Sequence, residues 1–141
     1  MMSLRNKPRS SGRRVVDYRR LPSILKVSAG NNLVISRRPP EELEKYGVDY
    51  IWVAKVPHPK AVPPSKLHVI EQEVWDRLQR EGSNVILDAT EYLIIENGVE
   101  PTLRFIGKLR DITILHGGEF YVTVSDGLEG RVLSVLRRIV E

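Results

Sequence analysis

The sequence predicts an α/β fold: a mainly parallel sheet of about four strands with helices on both faces, in a single domain preceded by a flexible basic N-terminal arm. Short apolar runs alternate with segments of helical period from residue 32 onward. The runs are apolar on consecutive positions, as strands covered on both faces require. A length of 141 residues suffices for one core and is short for two.

The first strand is "NLVIS", residues 32–36. "PPEELEKYG" follows as a short helix. Pro40 suits its first turn, Glu41 and Glu42 suit the positive end of its dipole, and Gly47 closes it. "YIWVAKV", residues 50–56, is the second strand, and "PHPKAVPP" is a loop because its prolines suit neither helix nor central strand. Over residues 65–80, Leu67, Ile70, Val74 and Leu78 recur at helical spacing, with Trp75 widening the stripe. Gly82 stops that helix, and Asn84 to Leu87 run into Asp88 as the third strand.

A longer helix spans residues 100–115, with Pro101 in its first turn and Leu103, Ile106, Leu109 and Ile112 on one face. "HGG" ends it, and "EFYVTV", residues 119–124, is the fourth strand. In the last helix Val132, Val135, Leu136 and Ile139 face inward, with Asp126 and Glu129 spaced as a capping box. Residues 1–14 lack any apolar period and read as a flexible tail, leaving residues 15–141 as the α/β domain.

Charge is unevenly placed. Residues 1–20 hold seven basic residues and one acid, a net +6, whereas the rest hold 15 basic and 17 acidic residues, a net −2. The arm cations Arg5, Lys7, Arg9, Arg13, Arg14, Arg19 and Arg20 are candidates for phosphate contact with nucleic acid or a ribonucleoprotein. With Tyr18 as its one aromatic, the arm offers no stacking platform. Cysteine is absent, which removes disulfides and thiolate chemistry. That absence, with many Arg and Glu, suits a thermophilic intracellular source. Neither a membrane span nor a secretory signal is expected, and the expected compartment is the cytoplasm.

In open parallel sheets ligands gather at the carboxyl ends of the strands. Those ends carry Arg37, Arg38, Lys55, Asp88, Ser125 and Asp126, a candidate rim for a phosphate or a metal–phosphate pair. Asp88 stands where a magnesium-holding aspartate would. A phosphate cradle of the form G-x-x-x-x-G-K-[ST] is missing, and Gly107-Lys108 lies inside a helix before Leu109. G-x-G-x-x-G and G-x-S-x-G are missing too. His58, His68 and His116 are isolated, so no metal site is expected. Glu91 and Glu96 near Asp88 read as caps and surface pairs rather than an acid–base couple. No catalytic residue and no cofactor are expected.

The stretches "NLVISRRPPEELEKYGV", "YIWVAKV", "VPPSKLHVIEQEVWDRLQREGSNVILDATEYLIIENGVEPTLRFIGKLRD" and "HGGEFYVTVS", in that order, resemble a largely archaeal family catalogued as domain of unknown function 835. The Asp-x-x-Glu-Tyr-Leu pattern followed by Asn-Gly is its most specific part, and the resemblance covers residues 30–140. It implies a degenerate relative of the RecA/KaiC-type core that keeps the strand-end aspartate and lacks the phosphate loop. Such domains often stand beside signalling domains. Many members have Gly after the aspartate where this chain has Ala89, and the strand and helix before "LVISRR" are abbreviated here.

The expected function is a non-enzymatic regulatory or protein-interaction module with a protein partner, able to self-associate. Asp88 then caps its own strand end. The alternatives are nucleic-acid contact through residues 1–20, or nucleotide sensing without hydrolysis through Arg37, Lys55 and Asp88.

Overall fold

Six strands lie side by side in the computed structural model, which describes residues 13–141. They are β1 (Val15–Asp17), β2 (Asn32–Ser36), β3 (Asp49–Val53), β4 (Ala61–Val62), β5 (Asn84–Asp88) and β6 (Phe120–Val124). The spatial order is β1-β6-β5-β2-β3-β4, and every neighbouring pair is parallel. The helices are α1 (Leu21–Val27), α2 (Pro40–Lys45), α3 (Leu67–Arg80), α4 (Thr90–Asn97), α5 (Val99–Leu115) and α6 (Gly130–Val140), with a 3-10 turn at Tyr18–Arg20.

Successive residues of a strand point to opposite faces. Leu33, Ile35, Val85, Leu87 and Val122 therefore share one face, where Ile70 and Val74 of α3, Phe105, Ile106 and Leu109 of α5, and Leu136 of α6 cover them. Val34, Tyr50, Ile86 and Tyr121 point the other way, onto Leu21 and Ile24 of α1 and Leu43 of α2. Each fully buried Leu or Ile contributes about 1.5–3 kcal/mol relative to exposure. The face under α3, α5 and α6 is the larger core. The centre of the sheet is β5, buried at every position.

Both ends of β5 are fixed by polar side chains. At its start, Asn84 donates to the Ala29 carbonyl at 2.8 Å and accepts the Glu119 N–H at 2.9 Å, tying the entries of β2 and β6 to β5. Gly118 lies so close that a Cβ there would stand 2.2 Å from the Ser83 carbonyl oxygen. Gly98, at φ +91°, lets the chain break from α4 and restart as α5.

The sheet has six strands where the sequence predicted about four. The two added strands are edges of three and two residues, too short to carry a pattern. The second, β4, lies inside the stretch expected to be a loop, between Pro57 and Pro59 on one side and Pro63 and Pro64 on the other. The prolines keep it at the edge, as expected. Two helices also carry no readable period, although the resemblance expected an abbreviated helix before "LVISRR". α1 is only seven residues long, and in α4 three consecutive apolar residues, Leu93, Ile94 and Ile95, conceal any helical period.

Two boundaries and one inward-facing residue differ from the sequence expectation. β3 stops at Val53, leaving Val56 exposed. α6 starts at Gly130 because Glu129 itself is the cap, its side chain accepting the Val132 N–H at 3.1 Å; Asp126 takes no part. Val135 is exposed, and Leu136 and Val140 are the buried residues of α6. Among the described residues no helix is long and apolar enough to cross a membrane.

Arg14 does not belong to a tail. It is 9% exposed, its guanidinium lies 4.8 Å from the Tyr121 ring centre, and Nη1 reaches Glu119 at 3.2 Å. Arg19 is gripped by Asp17, while Arg13 and Arg20 are exposed. Arg5, Lys7 and Arg9 lie outside the described residues.

Candidate functional site

Adjacent strands β2 and β5 send their chains to opposite faces: α2 packs on one side and α4 on the other, through Leu43 and Leu93. Such a divergence opens a crevice at the carboxyl ends of the strands, the usual ligand position in open α/β sheets. Three polar residues end the strands there on a common face, that of Val34, Ile86 and Tyr121. They are Ser36, its register partner Asp88, and Thr123, which follows the register partner of Leu87.

Asp88 receives a donor on every side. Ser36 Oγ and Thr123 Oγ1 each donate at 2.6 Å, and Arg38 donates from Nε at 2.8 Å and Nη2 at 3.4 Å. Its side chain is 3% exposed. Ser36 is a relay, because its oxygen also accepts the Arg38 N–H at 2.9 Å. Arg38 also donates to Glu42 at 3.1 Å and to the Tyr18 carbonyl at 2.6 Å. Burial alone would lower the Arg38 pKa, but the hydrogen bond and charge of Asp88 outweigh it and raise it. This is a closed fork, with both carboxylate oxygens committed to protein.

The other rim residues have different anchors. Lys55 pairs with Glu96 at 3.1 Å, and that bond raises its ammonium pKa. Ser125 donates from N and Oγ to Glu91 Oε2, at 2.6 and 3.1 Å. Asp126 is 87% exposed and, among the described residues, pairs with Arg19 at 3.6 Å. Arg37 lies face-on to Tyr92, 3.7 Å from the ring centre, and donates Nη1 to the Val53 carbonyl at 3.3 Å. Among the described residues it has no carboxylate partner. The structure thus joins Arg38 to Asp88 and leaves Arg37, Lys55, Ser125 and Asp126 as separate contacts around them.

A cleft of about 470 Å³ opens beside the fork, walled by Tyr18, Arg37, Arg38, Glu42, Glu91 and Tyr92 among others. Sequence reasoning found the two arginines but missed Ser36, Thr123, Tyr18 and Tyr92 as parts of the site. The hydroxyls carried a readable signal, since each sits at or near the end of an apolar strand beside Asp88. Tyr18 carried none, because it arrives from the far edge of the sheet through the turn after β1. Among the described residues no group of three His, Asp or Glu side chains gathers to hold a metal ion.

Fold and site define an open, doubly wound α/β domain whose switch-point carboxylate is satisfied by its own side chains. A family model described as a protein of unknown function (DUF835) matches residues 17–140, and the chain belongs to that family. No curated protein and no solved structure matches it.

Proposed function

We infer that the chain is a non-enzymatic binding module of a regulatory kind, which engages its ligand or partner without transforming it. The single observation behind this reading is the closure of Asp88. A carboxylate that accepts from Ser36, Thr123 and Arg38 while 3% exposed has no lone pair directed at a substrate. To hold magnesium or move a proton it would first have to surrender a buried ion pair, a step costing on the order of 3–5 kcal/mol. The loop after β2 supports the same reading. Arg37-Arg38-Pro39-Pro40 contains two residues without an N–H, so it cannot form the backbone cradle of a phosphate-hydrolysing site.

The test is a turnover assay of the full chain with magnesium and ATP or GTP, beside Asp88→Asn. Neither protein should release phosphate above buffer, and Asp88→Asn should differ from native only in stability. Hydrolysis by the native chain that disappears in a folded Asp88→Asn variant overturns the reading.

A further inference from the structure

The cleft beside the fork has unused binding groups, and they are of three kinds. Arg37 is the first. Arg38, Lys55 and Arg19 each face a carboxylate, whereas Arg37 faces none among the described residues. Its guanidinium is held over the Tyr92 ring at 3.7 Å and by one bond to the Val53 carbonyl, which restricts the head group before any ligand arrives and leaves other N–H donors for it.

The second is Tyr18, a residue 45% exposed on the cleft wall. Its ring already lies 5.6 Å from the Arg19 and 5.9 Å from the Arg38 guanidinium and keeps room for a further contact. The third is a pair of acceptors. Glu42 and Glu91 each commit Oε2 to protein donors, leaving Oε1 with no protein donor among the described residues. These carboxylates oppose a bare anion and favour a ligand that also brings O–H donors.

One chemical class satisfies all three at once. We propose that the cleft binds a nucleoside monophosphate, with its phosphate on Arg37, its base against Tyr18 and its sugar hydroxyls donated to the free oxygens of Glu42 and Glu91. The 470 Å³ volume lies within the usual range for small-ligand sites. Because Pro39 and Pro40 remove the backbone donors that phosphates normally find at this loop, a guanidinium takes over their part. The proposal deepens the reading above and rests on it in one respect: the ligand is held and not turned over.

The test titrates AMP, GMP, CMP and UMP into the isotope-labelled full chain, following the Arg37 side-chain N–H and the tyrosine rings by NMR. Inorganic phosphate and adenosine are run separately. At least one nucleotide should saturate below ~5 mM and shift both Arg37 and Tyr18, while phosphate and adenosine each bind on the order of tenfold more weakly. Arg37→Gln should weaken that binding on the order of tenfold with the amide spectrum otherwise unchanged, and Tyr18→Ala should weaken it independently. The site assignment is overturned if all four nucleotides leave the spectrum unchanged, or if Arg37→Gln binds as tightly as native. Conversion of a bound nucleotide would overturn the binding-module reading instead, leaving the site in place.

Discussion

Glu141 holds the entry to the fold: its Oε2 accepts the backbone N–H of Val15 at 2.9 Å and that of Arg14 at 2.8 Å. The end of α6 is thereby fastened to the edge strand β1, more than a hundred residues away in sequence. Bonds from N–H groups to a carboxylate are stronger than neutral ones. Glu141→Ala should cost roughly 1–2 kcal/mol, lowering the melting midpoint by about 3–8 °C. Hydrogen exchange should place the loss at Arg14 and Val15. An unchanged exchange pattern there would show that the clamp is not formed in solution.

At the other end of the strands, Asp88→Ala should destabilise by about 3–5 kcal/mol, because Arg38 is left partly buried without its counter-charge. Asp88→Ala combined with Arg38→Met should recover part of that loss, since the double variant buries no unpaired ion. Urea unfolding of the four proteins gives the coupling directly. Strictly additive losses would mean the two residues do not act as a pair.

Acid should weaken the fold through three depressed carboxyls. The side-chain hydrogen bond from Arg19 brings Asp17 down to about 2, and the Tyr46 hydroxyl, helped by Arg38, lowers Glu42. Burial would raise Asp49, but the Lys60 hydrogen bond and the Arg77 charge outweigh it and lower it. A carboxyl depressed in the folded state stabilises fully above its unfolded pKa, 3.8 for Asp and 4.5 for Glu, and loses that contribution as pH falls toward the folded value. The urea midpoint should therefore hold level above pH ~5 and drop from pH ~4 downward. A midpoint that rises on acidification would contradict the pairings.

The opposite limb belongs to phenols. Tyr46, Tyr50 and Tyr121 are raised above 10.0, chiefly by burial and further by hydrogen bonds to Glu42, Glu44 and Glu119. Their contribution is complete below pH 10.0 and fades as pH climbs through the folded values. Absorbance titration should show Tyr46, Tyr50 and Tyr121 ionising above pH 10.0. Midpoints at or below 10.0 for these three would count against those bonds.

Gly118→Ala tests the packing at the start of β6. Its Cβ would meet the Ser83 backbone oxygen at 2.2 Å, so β6 must shift against β5. The expected cost is about 1–3 kcal/mol, measured by thermal unfolding. A neutral effect would mean the two strands enter the sheet further apart than described.

The central strands were legible as unbroken apolar runs, and α3 and α5 because each is long enough to show its period, as Ile70, Val74 and Leu78 do. The edges were not, since three residues of β1 or two of β4 hold no period at all. For the site, Asp88 and Arg38 were visible from strand-end logic. Their union was not, because it depends on a register that sets Ser36 opposite Asp88, and registers follow from packing of the whole sheet. Arg14 misled for a related reason: a basic residue among basic residues reads as solvated until Tyr121 and Glu119 are seen around it.

The proline fence around β4 also limits what can add to that margin of the sheet. A parallel sheet with open margins is a template on which strands of other chains can add without limit. Here the β4 margin offers an incoming strand only Ala61 and Val62 before Pro63 and Pro64 interrupt its hydrogen-bond ladder. A filament growing by strand addition would run out at this margin, so the fence acts as a chain terminator for aggregation in a fold otherwise rich in apolar strands.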